Sequence, residues 1–167
     1  MTNVKTRLYT LFLTLFLAFI ATAANAAGTR LFKVARSLNH NIVCYDVQLA
    51  GNGLNTKAPI SVYWINNEKQ PGTKKELNAI ERRMAYGYKV VSAQATQAQV
   101  TLAAYSKRPI TVCKQDGKWV ALVNINGKEC VLTEIYVKTK SAVSVEYLEL
   151  RGTQVQDGSA QKEKLKP

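Results

Sequence analysis

The chain has 167 residues with 23 Lys or Arg, 11 Asp or Glu, three cysteines and one histidine, and its net charge is +12. This length is enough for one domain whose core does not depend on disulfides. With one histidine, a zinc site of the usual ligand set is not expected, and we predict neither a metal nor another cofactor. Such a charge in a cytosolic protein would suggest nucleic acid, but the N-terminal sequence argues against that partner.

The first 26 residues have the three parts of a cleavable secretory signal peptide. Lys5 and Arg7 precede an uncharged apolar run from Leu8 to Ile20, and Ala24-Asn25-Ala26 supplies an A-x-A cleavage site. The apolar run is shorter than the roughly 20 residues of a membrane-spanning helix. Cleavage leaves 21 cations against 11 acids, a net charge of +10. We therefore expect an exported protein, periplasmic or secreted, without a transmembrane span after cleavage.

The rest of the chain alternates between apolar and polar residues with a period of two, which predicts a single β-rich domain over residues 27–151. Asp116-Gly117 and Asn126-Gly127 are typical of two-residue hairpin turns, so residue 115 should face 118 and residue 125 should face 128. The predicted strands are Leu31–Arg36, Ile42–Leu49, Ile60–Ile65, Gly87–Ala93, Gln99–Tyr105, Pro109–Lys114, Lys118–Ile125, Glu129–Thr139 and Val143–Arg151.

This register assigns one face of the hairpin sheet to the core. Cys113 and Cys130 then point to opposite faces of strands that are not neighbours, so they should not pair. An exported protein meets oxidising conditions, and a disulfide would have to join Cys44 to Cys113 or Cys130. The predicted core face consists of Ile110, Val112, Trp119, Ala121, Val123, Ile125, Cys130, Leu132 and Tyr136.

One helix is expected among the strands. Thr73 and Glu76 have the spacing of a capping box, which predicts a helix that ends near Tyr86. A helical wheel places Glu81 inside the apolar stripe of this helix. The stripe consists of Leu77, Ile80, Met84 and Ala85.

These elements predict a mainly β fold, an antiparallel barrel or sandwich with meander hairpins and one packed α-helix. An up-and-down barrel of about eight strands can hold one small ligand. Residues 152–167 are polar and lysine-rich, which predicts a flexible tail.

Two charged side chains fall on apolar faces, Arg36 at the end of a strand and Glu81 on the predicted helix. Buried charges are normally paired, so they could pair with each other or with Asp46 and pin the helix to the sheet. The alternative is a pocket in which the guanidinium holds an anionic group and Glu81 is an acceptor or a general acid/base. Its aromatic walls would be Tyr45, Tyr63, Trp64, Tyr86 and Tyr88.

Three motifs resemble those of an uncharacterised family of exported bacterial proteins, a domain of unknown function. They are R-S-L-N-H-N-I-V-C-Y-D at residues 36–46, V-Y-W-I at residues 62–65 and E-R-R-M-A-Y-G-Y at residues 81–88. The resemblance implies export and a single β-rich domain, and it supplies no catalytic residue.

The function that we expect is non-catalytic binding of a small amphipathic or anionic ligand of the cell envelope. One alternative is an enzyme that acts on envelope material through Arg36, Asp46 and Glu81. The other is an interaction module that uses a basic surface or a strand edge, for example in contact with the envelope. A binding barrel predicts an internal cavity, an enzyme predicts carboxylates exposed in a cleft, and an interaction module predicts an exposed patch.

Overall fold

The computed structural model describes residues 29–141 and 144–166. The predicted signal peptide lies outside these residues. Within them, no helix is long and apolar enough to cross a membrane. The elements are β1 (Arg30–Arg36), β2 (Asn39–Val47), β3 (Leu49–Ala50), β4 (Gly53–Leu54), β5 (Ile60–Asn66), β6 (Thr73–Glu76), α1 (Ala79–Met84), β7 (Tyr88–Ala93), β8 (Gln97–Leu102), β9 (Tyr105–Gln115), β10 (Lys118–Ile125), β11 (Lys128–Thr139), β12 (Val145–Gln154) and β13 (Ala160–Leu165).

Eleven of the strands form one strongly curled sheet, and β3 and β4 form a separate two-stranded sheet, which confirms the mainly β fold class. The order of the large sheet is β6-β5-β2-β1-β11-β10-β9-β8-β7, and β12 and β13 continue from β11. One edge of the long β11 pairs with β10 at residues 128–131 and with β1 at residues 134–137. Two arms of the sheet therefore leave the same edge and enclose a common core. The β1–β11 pair is parallel, so the sheet is mixed rather than purely antiparallel.

The predicted register of the hairpins is confirmed. Gln115 lies opposite Lys118, and Ile125 lies opposite Lys128. Asp116 and Asn126, the first residue of each turn, have positive φ angles of 48° and 52°, as a two-residue hairpin turn requires. The predicted core face is buried at Ile110, Val112, Trp119, Ala121, Val123, Ile125, Cys130 and Leu132.

The predicted core face is wrong beyond Leu132. The pairing of β11 with β12 shifts register between Leu132 and Glu134, as a β-bulge does. One extra residue reverses which side chains point inward, because side chains alternate with a period of two. Ile135 and Val137 are therefore buried, and Tyr136 is not among the buried residues.

The predicted helix from Thr73 to Tyr86 is also wrong. Residues Thr73–Glu76 form β6, which pairs with β5, and α1 has only six residues. The capping box is formed instead by Asn78 and Glu81. The Asn78 side chain accepts a hydrogen bond from the Glu81 N–H at 2.8 Å, and the Glu81 carboxylate accepts one from the Asn78 N–H at 2.9 Å. The helix buries none of its residues, so it does not pack on the sheet as expected.

Residues 152–166 are not a flexible tail. They complete β12 and form β13, which pairs antiparallel to β12 from Thr153 opposite Ala160 to Leu148 opposite Leu165. Arg108 of β9 makes two hydrogen bonds to the carboxylate of Glu163, at 2.5 and 2.9 Å, and these tie β13 to the rest of the sheet. Lysines on an exposed edge strand discourage pairing with another chain, which explains the polar composition that suggested a tail.

This ion pair predicts a loss of stability in acid. The hydrogen bond from Arg108 lowers the pKa of Glu163 below its ordinary value. A carboxyl with a lowered pKa in the folded state stabilises the protein above its unfolded pKa of about 4.3, and that contribution disappears as the pH falls through the folded pKa. We therefore expect urea denaturation to give a smaller free energy of unfolding at pH 3 than at pH 7. The free energy of unfolding of Glu163→Gln should fall less between pH 7 and pH 3 than that of the control variant Glu146→Gln. Equal decreases in the two variants would show that Glu163 is not the source of the acid sensitivity.

Candidate functional site

Arg36 is a cation that pairs with no carboxylate in the part of the chain that the structure describes. It ends β1 and follows the buried residues Phe32 and Val34 on the inward side of that strand. Its guanidinium carbon lies 5.1 Å from the centre of the Trp64 ring, a cation–π contact, and its Nε is buried without a hydrogen-bond partner. Within residues 29–141 and 144–166, no carboxylate forms an ion pair with it. The expected pairing with Glu81 or Asp46 is therefore not formed.

Arg36 lines a polar cleft of about 470 Å³. Trp64 of β5 and Glu81 of α1 share this cleft, so the structure brings three of the predicted site residues together. The Glu81 carboxylate is engaged by the Asn78 N–H, so it caps α1. Two cations of β6 that the sequence reasoning missed, because it assigned them to a helix, also line the cleft. The other lining residues are Asn41, Asn66, Gln70, Thr73, Lys74 and Lys75.

A second, apolar cavity of about 140 Å³ lies in the core. Tyr45, one of the predicted walls, lines it, stacks on Phe32 and donates its hydroxyl hydrogen to the carbonyl of Tyr86 at 2.6 Å. An apolar cavity of about 150 Å³ in another protein accepts benzene, so this one has room for a group of about six carbon atoms. Its apolar lining includes Val34, Leu102, Ile110, Val123, Leu132, Ile135, Val137, Leu148 and Leu150.

The Tyr86 side chain stands between the two pockets. It lines the apolar cavity, and its ring packs edge-on against Trp64 of the cleft with ring centres 5.0 Å apart. Burial raises the pKa of Tyr86, and the charge of Arg36 and a hydrogen bond with it oppose that rise. Val137, the neighbour of Arg36 in the β1–β11 ladder, also lines the cavity. The cleft and the apolar cavity are therefore neighbours on the two sides of Tyr86.

Asp46 and Tyr63, two of the predicted site residues, lie on the opposite face of the sheet from Arg36. The Asp46 carboxylate pairs with Arg30 and accepts a hydrogen bond from the Tyr63 hydroxyl at 2.5 Å. Asp46 is only 6% exposed. Its hydrogen bonds join β1, β2 and β5, which is an architectural role.

Tyr88, another predicted site residue, connects β7 at one end of the sheet order to β5 near the other end. β5 pairs with β6 only at residues 63–66, which leaves its first half without a strand partner on that side. The Tyr88 hydroxyl donates to the Ile60 carbonyl at 2.7 Å and accepts from the Ile60 N–H at 3.2 Å. This side chain therefore replaces missing ladder bonds between β5 and β7.

The three cysteines are free thiols, so the predicted disulfide of Cys44 with Cys113 or Cys130 is not formed. They lie on β2, β9 and β11. Cys44 is opposite Lys33 and Tyr63 of the adjacent strands, while Cys113 faces Val120 and Gln97. Burial raises the pKa of all three thiols above the ordinary value, which disfavours the reactive thiolate.

The arrangement is suited to binding. Arg36 and Glu81 share the cleft, but the sheet separates them from Asp46, so the three side chains do not form one constellation. In the described part of the chain, no three His, Cys, Asp or Glu side chains gather where they could hold a metal ion. A positively charged cleft beside a small apolar cavity instead matches a ligand with an anionic group and a short apolar group.

A family model described as a domain of unknown function (DUF4833) matches residues 32–164. This range runs from β1 to β13, so it covers the whole sheet. It confirms the resemblance to an uncharacterised family that the sequence motifs indicated. No curated protein and no solved structure matches the chain.

Proposed function

The chain belongs to the DUF4833 family, whose function is unknown, and we propose that its domain binds a small amphipathic anion without catalysing a reaction. The anionic group, a carboxylate or a phosphate, lies against Arg36 in the polar cleft. The apolar group enters the cavity beyond Tyr86. On the basis of the signal-like first 26 residues, we place this binding outside the cytoplasm.

The observation that carries the proposal is the guanidinium of Arg36, which contacts Trp64 and pairs with no carboxylate of the described residues. Its Nε is buried without an acceptor, and a buried polar group without a partner costs free energy. A fold that needed only stability would be better served here by an apolar side chain or by an ion pair. An anionic ligand would supply the missing acceptor, and the planar guanidinium can bind a carboxylate or phosphate with two hydrogen bonds.

Charge and size restrict the ligand. Lys75 lies opposite Trp64 in the β5–β6 ladder and lines the same cleft, so an anion gains from two cations while only Glu81 opposes it. The cavity of about 140 Å³ is too small for a long acyl chain and fits a short alkyl chain or a single ring. We therefore favour a short-chain organic anion over a long-chain lipid as the occupant of the cavity.

Native mass spectrometry of the protein, purified without denaturation from the cells that produce it, tests this proposal. We expect a reproducible mass increment that disappears on denaturation and fragments as an organic acid or phosphate. Where the purified protein is empty, isothermal titration with hexanoate should still detect binding, and hexylamine should not bind. The proposal would be refuted if the protein carried no mass increment and also failed to bind hexanoate at millimolar concentration.

A variant at the mouth of the cavity gives an independent check. Ala104 lines the cavity and is exposed, so Ala104→Leu should narrow the mouth without disturbing the fold. We expect hexanoate binding to weaken by about tenfold or more, because the larger side chain takes the space of several ligand carbons. The matched control is Ala160→Leu, an exposed position on β13 outside the cavity, which should bind as the wild type does. Equal weakening in both variants would contradict the assignment of the mouth.

A further inference from the structure

The short helix α1 presents two large apolar side chains to solvent. Ile80 and Met84 are 73% and 70% exposed, more than any other large apolar side chain in residues 29–141 and 144–166. They are four residues apart and therefore lie on the same helix face. Two large apolar side chains that are this exposed and lie side by side mark a surface for interaction.

The surroundings of this apolar pair are positively charged. Arg82 and Arg83 form the last turn of α1, and the segment from residue 73 to residue 91 contains five cations and two carboxylates. One of these carboxylates, Glu81, is engaged as a helix cap, and the other, Glu76, lies 3.5 Å from Arg82. The side chain of Arg82 nevertheless remains 54% exposed. An anionic surface is therefore the complementary partner.

The helix also stands at the entrance of the apolar cavity. Ala85 and Tyr86, the two residues that follow α1, line that cavity. Val145 lines the same cavity and is itself 38% exposed. A surface that contacts Ile80 and Met84 would therefore lie next to the cavity mouth.

We propose that α1 docks the protein on an anionic phospholipid surface. Ile80 and Met84 enter the boundary between headgroups and acyl chains, and Arg82 and Arg83 contact the lipid phosphates. Two side chains on a six-residue helix are too small a patch for a stable protein interface, which buries roughly 1,200 Å² or more in total. Shallow insertion into a bilayer needs only a few apolar side chains with cations beside them. Docking requires no ligand, so it can be tested apart from the binding proposal.

Vesicle co-sedimentation tests the docking. The protein is purified from the producing cells, and its intact mass is measured to verify that the wild type and all variants begin at the same residue. Vesicles of phosphatidylglycerol with phosphatidylcholine should bind the wild type, and vesicles of phosphatidylcholine alone should bind it at least about tenfold more weakly. The double variant Ile80→Ser with Met84→Ser should bind the anionic vesicles at least about tenfold more weakly than the wild type, because both lost side chains are apolar. Both positions are exposed, so this variant should fold normally.

The matched control is Leu49→Ser with Val155→Ser, which removes two exposed apolar side chains outside α1 and should bind as the wild type does. Equal vesicle binding by the two double variants would overturn the proposal, since the attraction would then be charge alone. Absence of wild-type binding to anionic vesicles would overturn it as well. So would a concentration-dependent dimer that the α1 variant abolishes in the absence of vesicle binding, because a second copy of the chain would then be the partner.

Discussion

Replacing Arg36 with methionine should weaken anion binding strongly and change the stability of the fold only slightly. A charge-assisted hydrogen bond contributes about 1.5–3 kcal/mol, so we expect Arg36→Met to weaken hexanoate binding by roughly 10- to 100-fold. Stability should change by no more than about 1 kcal/mol, since the lost cation–π contact with Trp64 is offset by removal of a guanidinium with an unpaired, buried Nε. Isothermal titration and urea denaturation measure the two quantities on the same preparation.

Measuring both hexanoate affinity and the free energy of unfolding distinguishes a role of Arg36 in binding from a role in stabilising the fold. If Arg36 held the fold together through a buried ion pair, its removal would cost about 3–5 kcal/mol, and a loss of that size would overturn the binding interpretation. Arg83→Met is the control, because it removes an exposed cation of α1 that does not line the cleft. It should bind hexanoate as the wild type does. Binding of the uncharged probe hexanol should survive in both variants, because the cavity itself is unchanged.

Parity along the strands predicted much of the site. It placed Arg36 on the inward face of β1 with Phe32 and Val34, and the structure agrees. Trp64 packs on this guanidinium and on the ring of Tyr86, and both aromatic residues are among those that the sequence grouped with Arg36. Strand periodicity succeeds for Arg36 because residues 33–36 pair in regular steps with β11, where each step reverses the side-chain direction, although the pairing with β2 shifts register next to Arg36.

The prediction of side-chain faces fails where the pairing of two strands shifts register. The pairing of β1 with β2 shifts register between Arg30 and Phe32, so Arg30 leaves the inward face and pairs with Asp46 on the outer side. Nothing in the alternation of the sequence marks that shift. The bulge in β11 reverses the face of Tyr136 for the same reason. Bulges arise from the way strands fit together, so a pattern read along one strand does not reveal them.

The helix was misplaced because two capping boxes compete in one short segment. Thr73 with Glu76 and Asn78 with Glu81 both have the required spacing, and only the second is used. Pairing of β6 with the half-free edge of β5 decides between them, since it satisfies backbone groups that a helix from Thr73 would leave unpaired. The exposed Ile80 and Met84 follow from the same choice, because the helix that remains is too short to reach the core.

Gly152 is a glycine that suggested the end of a strand in the sequence, although packing between strands requires it inside a strand. The sequence places it after the last predicted strand, yet it lies inside β12, opposite Leu132. A Cβ added there would sit 2.6 Å from the Val131 carbonyl oxygen and 3.0 Å from the Ile125 side chain. Three strands therefore approach one another too closely at this point for any side chain, and the glycine permits that approach.

Gly152→Ala should consequently destabilise the protein by about 2–3 kcal/mol, since the clash is with backbone that has to shift. The melting temperature should fall by roughly 5–15 °C, which differential scanning calorimetry measures directly. Gly158→Ala is the matched control in the β12–β13 turn, where a Cβ meets nothing within 4 Å and only the positive φ of 71° is strained. Its cost should be about 1 kcal/mol. If the two variants had the same melting temperature, the close approach of β10, β11 and β12 would not be the reason why residue 152 is a glycine.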